Sequence, residues 1–144
     1  MENGIGLDAA RRSKLDLLVD TYLHALRAAD VETALSTLAD DVELDLVGDT
    51  PNLIRGKDAV RAHHLSEFAN TIHERNVPLR RLYGSGFVVD ELIWEGRIPG
   101  RVGALIGNGR RVSQRVLRIF EVREGWVTRQ SIYTDFAAIT RQLA

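Results

Sequence analysis

Between residues 10 and 29, hydrophobic side chains recur every three or four positions, which is the spacing of a helix with one buried face. That face consists of Leu15, Leu18, Val19, Tyr22 and Leu26. Asp30 has a side chain that caps helix N-termini, and it opens a second, short helix. The apolar residues of the second helix are Val31, Ala34, Leu35 and Leu38. We expect the two helices to form a hairpin.

The pattern then alternates between apolar and acidic residues over positions 42–46, which predicts a strand that ends at a turn over 48–51. A loop through positions 55–56 follows. Helical spacing returns from position 57 to about 72, so a third helix is expected there. Its apolar face consists of Val60, Leu65, Phe68 and Ile72, with His64 near the edge of the stripe.

The remainder of the chain has a period of two, which predicts strands over 76–83, 87–98, 110–122 and 126–135. We expect these strands to form a long antiparallel meander, closed by a short helix over 136–143. Helices followed by strands are typical of an α+β fold. The sequence therefore predicts a strongly curved antiparallel sheet that packs one face against the N-terminal helices and encloses a largely apolar pocket.

Two segments follow neither period. Residues 1–9 are expected to form a flexible tail, and residues 99–109 hold four glycines and four aliphatic side chains. The second segment is either a flexible hairpin loop or an apolar lid over the pocket, since long loops often have a function. Residues 1–144 are expected to form a single domain, because a chain of this length builds one hydrophobic core.

Composition excludes several classes of function. The chain has 44% apolar and 27% charged residues, a net charge of −1 and no cysteine, so disulfides and thiolate metal sites are absent. The arginines are dispersed among acidic residues and belong to no nucleic-acid-binding motif, and no apolar run reaches the roughly 20 residues that cross a bilayer. We expect a cytoplasmic protein that binds neither nucleic acid nor membrane.

Short motifs along the chain resemble the SnoaL-like polyketide cyclases of the NTF2-like superfamily. They lie at residues 22–30, 38–41, 55–60, 109–112 and 124–135. Each motif is degenerate, and their order and spacing over nearly the whole chain carry the resemblance. The resemblance implies an NTF2-like cone, a homodimer formed through the outer face of the sheet, and a small hydrophobic ligand. The superfamily includes isomerases, epoxide hydrolases, cyclases and non-catalytic binders, so the fold alone does not choose among them.

The resemblance also implies three catalytic residues. Asp135 matches the aspartate at a strand end that serves SnoaL-like cyclases as general acid/base, although an aspartate before Phe136 is equally suited to cap the last helix. Tyr22 matches the tyrosine with which ketosteroid isomerases stabilise an enolate oxygen. Asp45 matches their proton-transferring aspartate if one residue is deleted from the strand. Alternation places it on the face opposite Leu44, so it enters the pocket only if that aliphatic face is the outer one or if the strand bulges.

Pairing Val122 with Val127 across the last hairpin predicts an inward polar cluster on the sheet. In that register Arg118 lies opposite Ser131 and Gln114 lies opposite Asp135. The same face would include Val112, Val116, Phe120 and Tyr133. Arg118 would either orient a carboxylate or carbonyl of the substrate or neutralise Asp135. The sequence therefore predicts Gln114, Arg118, Phe120 and Tyr133 as substrate-binding residues.

Three further residues are candidates for the pocket wall: His64, Phe68 and Trp94. Each has an alternative interpretation as ordinary core packing or a hydrogen-bonded structural histidine. We expect no metal site, because a helix turns the adjacent side chains of His63 and His64 about 100° apart and no thiolate is present. His24 and His73 are assigned to the surface.

The sequence predicts a cofactor-free cyclase of bacterial polyketide (antibiotic) biosynthesis, closing a carbocycle on a hydrophobic polyketide. Either an aldol-type closure by acid/base residues or a pericyclic or conjugate closure of a polyene, such as indane formation, fits the residues. Arg118 stands where ketosteroid isomerases have a second acid, and Glu91, Glu95 and Arg97 lack the Arg-x-Asp order of limonene-type epoxide hydrolases. Those two activities, and a non-catalytic ligand-binding protein, are the alternatives.

Overall fold

The two N-terminal helices form the predicted hairpin. The structure, a computed structural model, describes residues 7–49 and 53–144, so most of the predicted tail over 1–9 lies outside the described residues. Helix α1 (Ala9–Arg27) begins at Asp8, whose carboxylate accepts a hydrogen bond from the Arg11 backbone N–H at 2.8 Å. It ends two residues earlier than predicted, because Ala29 has a φ of 56° and turns the chain so that Asp30 caps α2 (Val31–Leu35).

The α2 helix is shorter than predicted because Leu38 already belongs to a strand. Strand β1 (Leu38–Val47) pairs in antiparallel fashion with the short strand β2 (Leu53–Arg55), which the sequence pattern did not predict. Part of the predicted turn over 48–51 lies outside the described residues. Helix α3 (Lys57–Asn70) follows β2 directly. These elements bring α3 alongside β1 and the first helices.

The inward face of α3 differs from the predicted apolar stripe. Val60 and His64 are buried, whereas Leu65 and Ile72 are about half exposed, at 48% and 51%. The helix turns Val60, His64 and Glu67 inward at i, i+4 and i+7, so Leu65 faces away from the protein. Ile72 lies beyond the helix, at the start of a strand. The face of α3 that meets the rest of the protein is therefore partly polar.

Four long strands follow α3, as the period of two predicts. They are β3 (Ile72–Gly84), β4 (Phe87–Arg97), β7 (Arg111–Arg123) and β8 (Trp126–Thr134). They form the expected antiparallel meander within a six-stranded sheet of order β2-β1-β8-β7-β4-β3. The sheet is mixed rather than purely antiparallel, because β1 pairs with β8 in parallel. It is large, curved and not closed, and the helices pack on it, which confirms the α+β class.

A β-bulge changes which residues of β8 face inward. Val122 pairs with Val127 as predicted, but the register shifts between Glu121 and Val122, so Arg118 lies opposite Ile132 instead of Ser131. Because side chains alternate between the two faces of a strand, a shift of one residue exchanges the faces. Ile132 and Thr134 consequently share the inner face with Arg118, and Tyr133 is on the outer face.

The glycine-rich segment forms a small hairpin. Strands β5 (Arg101–Val102) and β6 (Leu105–Ile106) pair with each other, and Gly103 has a φ of 58° between them. The base of the hairpin packs tightly, since a Cβ atom at Gly107 would lie 1.8 Å from the Ile98 carbonyl oxygen. The segment is thus a structured hairpin that folds back on the end of β4.

Helix α4 (Phe136–Leu143) ends the chain and covers one end of the sheet. Asp135 caps it, with its carboxylate accepting a hydrogen bond from the Ala138 backbone N–H at 3.0 Å. Ile139 of this helix is buried with Ile98 and Val112 in a second apolar cluster, separate from the main core around α1 and β1. None of the helices within the described residues is both long and apolar enough to span a membrane.

Candidate active site

A cavity of about 210 Å³ lies between the helices and the inner face of the sheet. Its apolar wall combines side chains from α1, α3, β4, β7, β8 and the β5-β6 hairpin. Representative members are Leu26, Phe68, Trp94, Val116, Ile132 and Leu105. The hairpin over 101–106 therefore contributes to the cavity wall, and α4 closes another side with Phe136 and Ile139.

Polar side chains that enter the cavity include groups from α3, β3 and β7. Helix α3 contributes His63, His64 and Glu67. Strand β3 contributes His73 and Asn76, and strand β7 contributes Gln114 and Arg118. The cavity is therefore only partly apolar, since it brings acid/base groups from a helix together with hydrogen-bond donors from the sheet.

The side chains from α3 form one cluster around the Glu67 carboxylate. His64 Nδ1 lies 2.9 Å from Glu67 Oε1, and His63 Nε2 lies 3.3 Å from the same oxygen. The prediction that adjacent histidines cannot meet at one point is wrong here. Glu67 is four residues after His63 and three after His64, and both separations place side chains next to each other on a helix. The shared carboxylate brings the two imidazoles together.

Tyr22 supports the cluster from the core. Its hydroxyl oxygen lies 2.7 Å from His64 Nε2, and its ring packs edge-on against Phe120 at 5.8 Å between centroids. Burial raises the pKa of Tyr22 far above the usual range of a phenol, although a hydrogen bond from Gln130 and the charge of Arg118 oppose this effect. Tyr22 therefore stays neutral. With the proton on His64 Nδ1, Tyr22 donates to Nε2 and His64 donates to Glu67.

His63 and Glu67, which contact each other at the cavity surface, have opposite pKa shifts. Burial alone would raise the pKa of Glu67, but the hydrogen bonds and charges of His63 and His64 lower it well below the usual range. Burial alone would lower the pKa of His63, but Glu67, with a smaller contribution from Asp49, raises it above 6.5. Glu67 is thus a carboxylate at neutral pH, and His63 readily accepts a proton beside it.

On the sheet, Arg118 has no partner for part of its guanidinium group. Its Nε atom is buried and forms no hydrogen bond. Asp90 is its cross-strand neighbour on β4, but Asp90 Oδ1 accepts a hydrogen bond from Arg81 Nε at 2.8 Å. Arg81 also forms ion pairs with Asp16 and Asp20 of α1. Arg118 therefore reaches the cavity without an ion pair to the described residues.

The α3 cluster also has the composition of a metal site. The donor atoms of His63, His64 and Glu67 lie within 4.8 Å of one another. Two imidazole nitrogens and one carboxylate oxygen are a ligand set that Zn²⁺ accepts. An ion bound there would replace the direct contacts of both histidines with Glu67, so metal binding and the hydrogen-bonded cluster exclude each other.

The structure brings five of the ten residues proposed from the sequence to the cavity. They are His64, Phe68, Trp94, Gln114 and Arg118. Tyr22 and Phe120 are fully buried behind His64 and do not line the cavity. Tyr22 therefore acts on the site through His64 and not by direct contact with a ligand.

The other three predicted residues lie elsewhere. Asp135 is exposed at the N-terminus of α4, outside the cavity lining, and Tyr133 is 45% exposed on the outer face because of the bulge in β8. Asp45 alternates to the outer face, where its Oδ2 accepts a hydrogen bond from Arg129 at 2.9 Å. The predicted pairing of Arg118 with an inward Asp135 is therefore not formed.

The cavity residues that were not predicted include three with acid/base side chains, His63, Glu67 and His73. His63 and Glu67 belong to a His-His-x-x-Glu sequence in which the i+3 and i+4 spacings signal a shared face. His73 was assigned to the surface because it follows a helix. It belongs instead to β3, and its ring lies 5.4 Å from the ring of Trp94 in the cavity.

The helices on a curved mixed sheet, with a cavity between them, define an NTF2-like protein. The model of the SnoaL-like polyketide cyclase family matches residues 16–143, and the chain belongs to this family. Both the fold and the family predicted from the sequence are confirmed. No curated protein matches the chain.

Solved structures show the same fold. A proposed polyketide cyclase from Xanthomonas campestris pv. campestris is 22% identical, with a TM-score of 0.77 over 92% of this chain and 98% of that one. TsrD from Streptomyces laurentii is 19% identical, with a TM-score of 0.79 over 96% and 98%. An LEH-like epoxide hydrolase from M. tuberculosis is 23% identical, with a TM-score of 0.73 over 91% and 90%. At these identities the likeness concerns the fold.

Proposed function

We propose that the chain is a cofactor-free cyclase that closes a carbocycle on a small hydrophobic polyketide in bacterial natural-product biosynthesis. One observation supports this function above the alternatives. The cavity contains an ionised Glu67 beside a histidine with a raised pKa, while most of the surrounding wall is aliphatic or aromatic. Such a site can move a proton on a carbon acid that is otherwise held by apolar contacts.

In the proposed reaction, neutral His63 removes a proton from a carbon next to a substrate carbonyl group. The resulting enolate carbon attacks a second carbonyl carbon of the same chain, and a carbon–carbon bond forms. The alkoxide produced takes the proton back from the His63 imidazolium, so no atom is lost in the closure. General acid/base catalysis of this kind contributes about 10²- to 10⁴-fold to the rate.

Glu67, His64 and Tyr22 support the proton transfer to His63. The Glu67 carboxylate stabilises the imidazolium that forms on His63, while His64 and Tyr22 hold Glu67 in place. This replaces Asp135, the acid/base candidate of the sequence, with a residue that lines the cavity. On the sheet side of the cavity, Arg118 and Gln114 offer hydrogen-bond donors to a substrate oxygen.

The shape of the cavity contributes independently of proton transfer. Holding the two reacting ends of a chain together can lower a barrier by about 7 to 11 kcal/mol. A pericyclic or conjugate closure of a polyene would depend on this effect alone. The aldol-type closure needs both the shape and the His63–Glu67 pair, and the presence of that pair favours it.

The activity can be tested with a long-chain 1,5-diketone, which closes to a cyclohexenone by intramolecular aldol addition and loss of water. We expect wild-type protein to accelerate the appearance of the conjugated enone, and His63→Gln to lose about 10²- to 10⁴-fold of that acceleration. Leu65→Gln, on the outward face of the same helix, is the matched control and should retain it.

Two results would contradict the proposal. Calorimetric binding of the diketone without any turnover would indicate a ligand-binding protein. Undiminished closure by a folded His63→Gln variant would indicate catalysis by shape, without an acid/base residue.

We further propose that the enzyme is a cytoplasmic homodimer that pairs through the outer face of the sheet. That face carries an apolar strip in the register of β4 and β7, formed by Val89, Ile93, Leu117 and Ile119. Ion pairs between Arg80, Arg115 and Glu91 lie beside it. Light scattering after size exclusion should give twice the chain mass of 16.1 kDa, and Leu117→Glu should give the monomer.

A further inference from the structure

The guanidinium group of Arg118 lies in an environment that leaves its charge uncompensated. It projects from the inner face of β7 between Val116 and Phe120, which are 3% and 0% exposed. Its buried Nε atom forms no hydrogen bond, and the described residues provide no ion pair to it. Arg118 is partly buried, and removing a guanidinium group from water without an ion pair is unfavourable, so an arginine in this position is suited to a negatively charged ligand.

The neighbouring carboxylate does not neutralise Arg118. Asp90 lies directly across the strand pair, but it is bound through Oδ1 to Arg81, and its buried Oδ2 also forms no hydrogen bond. Arg81 in turn binds two aspartates of α1, and Asp90 is not among the residues that line the cavity. Asp90 is thus next to Arg118 but forms its ion pair with Arg81 instead. The guanidinium group of Arg118 remains available to a ligand in the cavity.

A second cationic side chain, that of Arg27, lies in the same cavity as Arg118, together with His73, whose lowered pKa leaves it neutral at pH 7. Arg27 and His73 both line the cavity, and neither forms an ion pair with a described carboxylate. Burial is the main cause that lowers the pKa of His73, and its hydrogen bonds oppose this effect. The positive charges of Arg27 and Arg118 lower the pKa of His73 further. This part of the cavity therefore attracts an anion, whereas the Glu67 carboxylate on α3 repels one.

We propose that the substrate carries a free carboxylate and that Arg118 binds it. The inference rests on the proposed function only in taking this cavity as the place where the substrate binds, and it names the substrate as a hydrophobic carboxylic acid. A guanidinium binds a carboxylate through two parallel hydrogen bonds, which fix orientation as well as affinity. Attraction at Arg118 and repulsion at Glu67 together place the acid end on the sheet and the reacting carbonyl groups beside His63.

The test uses octanoate and octanamide, which have the same shape but differ in charge. Binding is followed by calorimetry and by the fluorescence of Trp94, in a Trp126→Phe background that removes the other tryptophan. We expect octanoate to bind at least tenfold more tightly than octanamide. Arg118→Gln should abolish this preference, Arg118→Lys should keep part of it, and Arg123→Gln, an exposed arginine at the end of β7, should leave it unchanged.

Equal affinities of wild-type protein for the two probes would overturn the proposal, and so would a failure of octanoate to bind. A preference that survives in Arg118→Gln and disappears in Arg27→Gln would assign the anion site to Arg27 and equally overturn it. If Arg118→Gln does not fold, as judged by circular dichroism, the ratio of octanoate affinity to octanamide affinity is compared between wild type and Arg118→Lys. A ratio that does not fall in Arg118→Lys would then overturn the proposal. These are binding measurements, so they separate this inference from the cyclase proposal, which fails only on turnover of the diketone.

Discussion

The hydroxyl oxygen of Tyr22 lies 2.7 Å from His64 Nε2, and this contact joins the hydrophobic core to the acid/base cluster of the cavity. Tyr22 is fully buried and belongs to the main core, whereas Glu67, on the other side of the His64 ring, faces the cavity. With Tyr22 on one nitrogen and Glu67 on the other, His64 has no freedom to rotate. Of the two imidazoles in the α3 cluster, His63 is therefore the one that we propose exchanges protons with a ligand.

Tyr22→Phe should destabilise the protein without removing any group from the cavity. The substitution leaves the buried His64 Nε2 without a donor, which costs about 1 to 3 kcal/mol. Urea denaturation measures this loss. Tyr83→Phe is the matched control, because Tyr83 donates to Asp16 at a half-buried site and should cost less, about 0.5 to 1.5 kcal/mol. Equal losses in the two variants would show that the contact between Tyr22 and His64 has no special role.

Glu67→Gln should lower the pKa of His63. Glu67 raises that pKa above 6.5 against the effect of burial, so removal of the negative charge leaves burial as the dominant cause. An opposite charge nearby ordinarily shifts a pKa by about 1 to 3 units, and we expect His63 to fall by about one pH unit or more. Titration of the imidazole resonances by NMR measures the change. Glu74→Gln, on the outer surface, should leave it unaltered.

The same pair makes stability depend on pH. Because the folded-state pKa of His63 is raised, its protonated form stabilises the folded protein below pH 6.5, and this contribution is lost as the pH rises through the higher folded value. The pKa of Glu67 is lowered, so its contribution is present above pH 4.5 and is lost as the pH falls toward the folded value. Wild-type protein should therefore lose more stability than Glu67→Gln on both sides of the interval from pH 4.5 to 6.5.

Asp135→Asn distinguishes the site in the structure from the site expected from the sequence. Asparagine caps helices as well as aspartate does, and Asp135 is exposed outside the cavity lining, so stability should change by less than about 0.5 kcal/mol. Closure of the diketone should be unchanged. Asp135→Ala should cost about 1 kcal/mol through the lost cap, again with no loss of turnover. A large loss of turnover in a folded Asp135→Asn variant would restore Asp135 as the acid/base residue.

The sequence predicted elements far better than it predicted contacts across the sheet. Helix α4 and the bounds of β4, β7 and β8 follow from local periodicity and from capping by Asp135, so they were predicted to within one residue. The inward set of β8 residues depends on one bulge in β8 at Thr128, opposite Glu121 and Val122. A bulge adds a residue without changing the local pattern of apolar and polar positions, and so Tyr133 was placed on the wrong face.

The acid/base cluster was missed for a different reason. His63 and His64 were compared only with each other, and adjacent helical residues do diverge. Their meeting point is a third residue, Glu67, at a separation of one helical turn from both. The inward position of Glu67 also displaced Leu65 to the surface, against the expectation that leucines define the buried face. The available signal was Glu67, a polar residue at the position where the apolar stripe should continue.

Zn²⁺ should inhibit the enzyme by binding to the α3 cluster. The donor atoms of His63, His64 and Glu67 are within 4.8 Å of one another, and two imidazoles with one carboxylate leave a fourth position open in a tetrahedral site. Bound Zn²⁺ would hold the imidazole of His63 and take Glu67 away from it, so inhibition should weaken as the pH falls and protons compete with the ion. Treatment of wild-type protein with EDTA should leave closure of the diketone unchanged, because the proposed reaction needs no metal.

His63→Gln and Glu67→Gln should each weaken Zn²⁺ binding by at least about tenfold in calorimetry, whereas Glu74→Gln should have no effect. Loss of activity on EDTA treatment, restored by Zn²⁺, would instead identify the cluster as a catalytic metal centre and rule out His63 as the base.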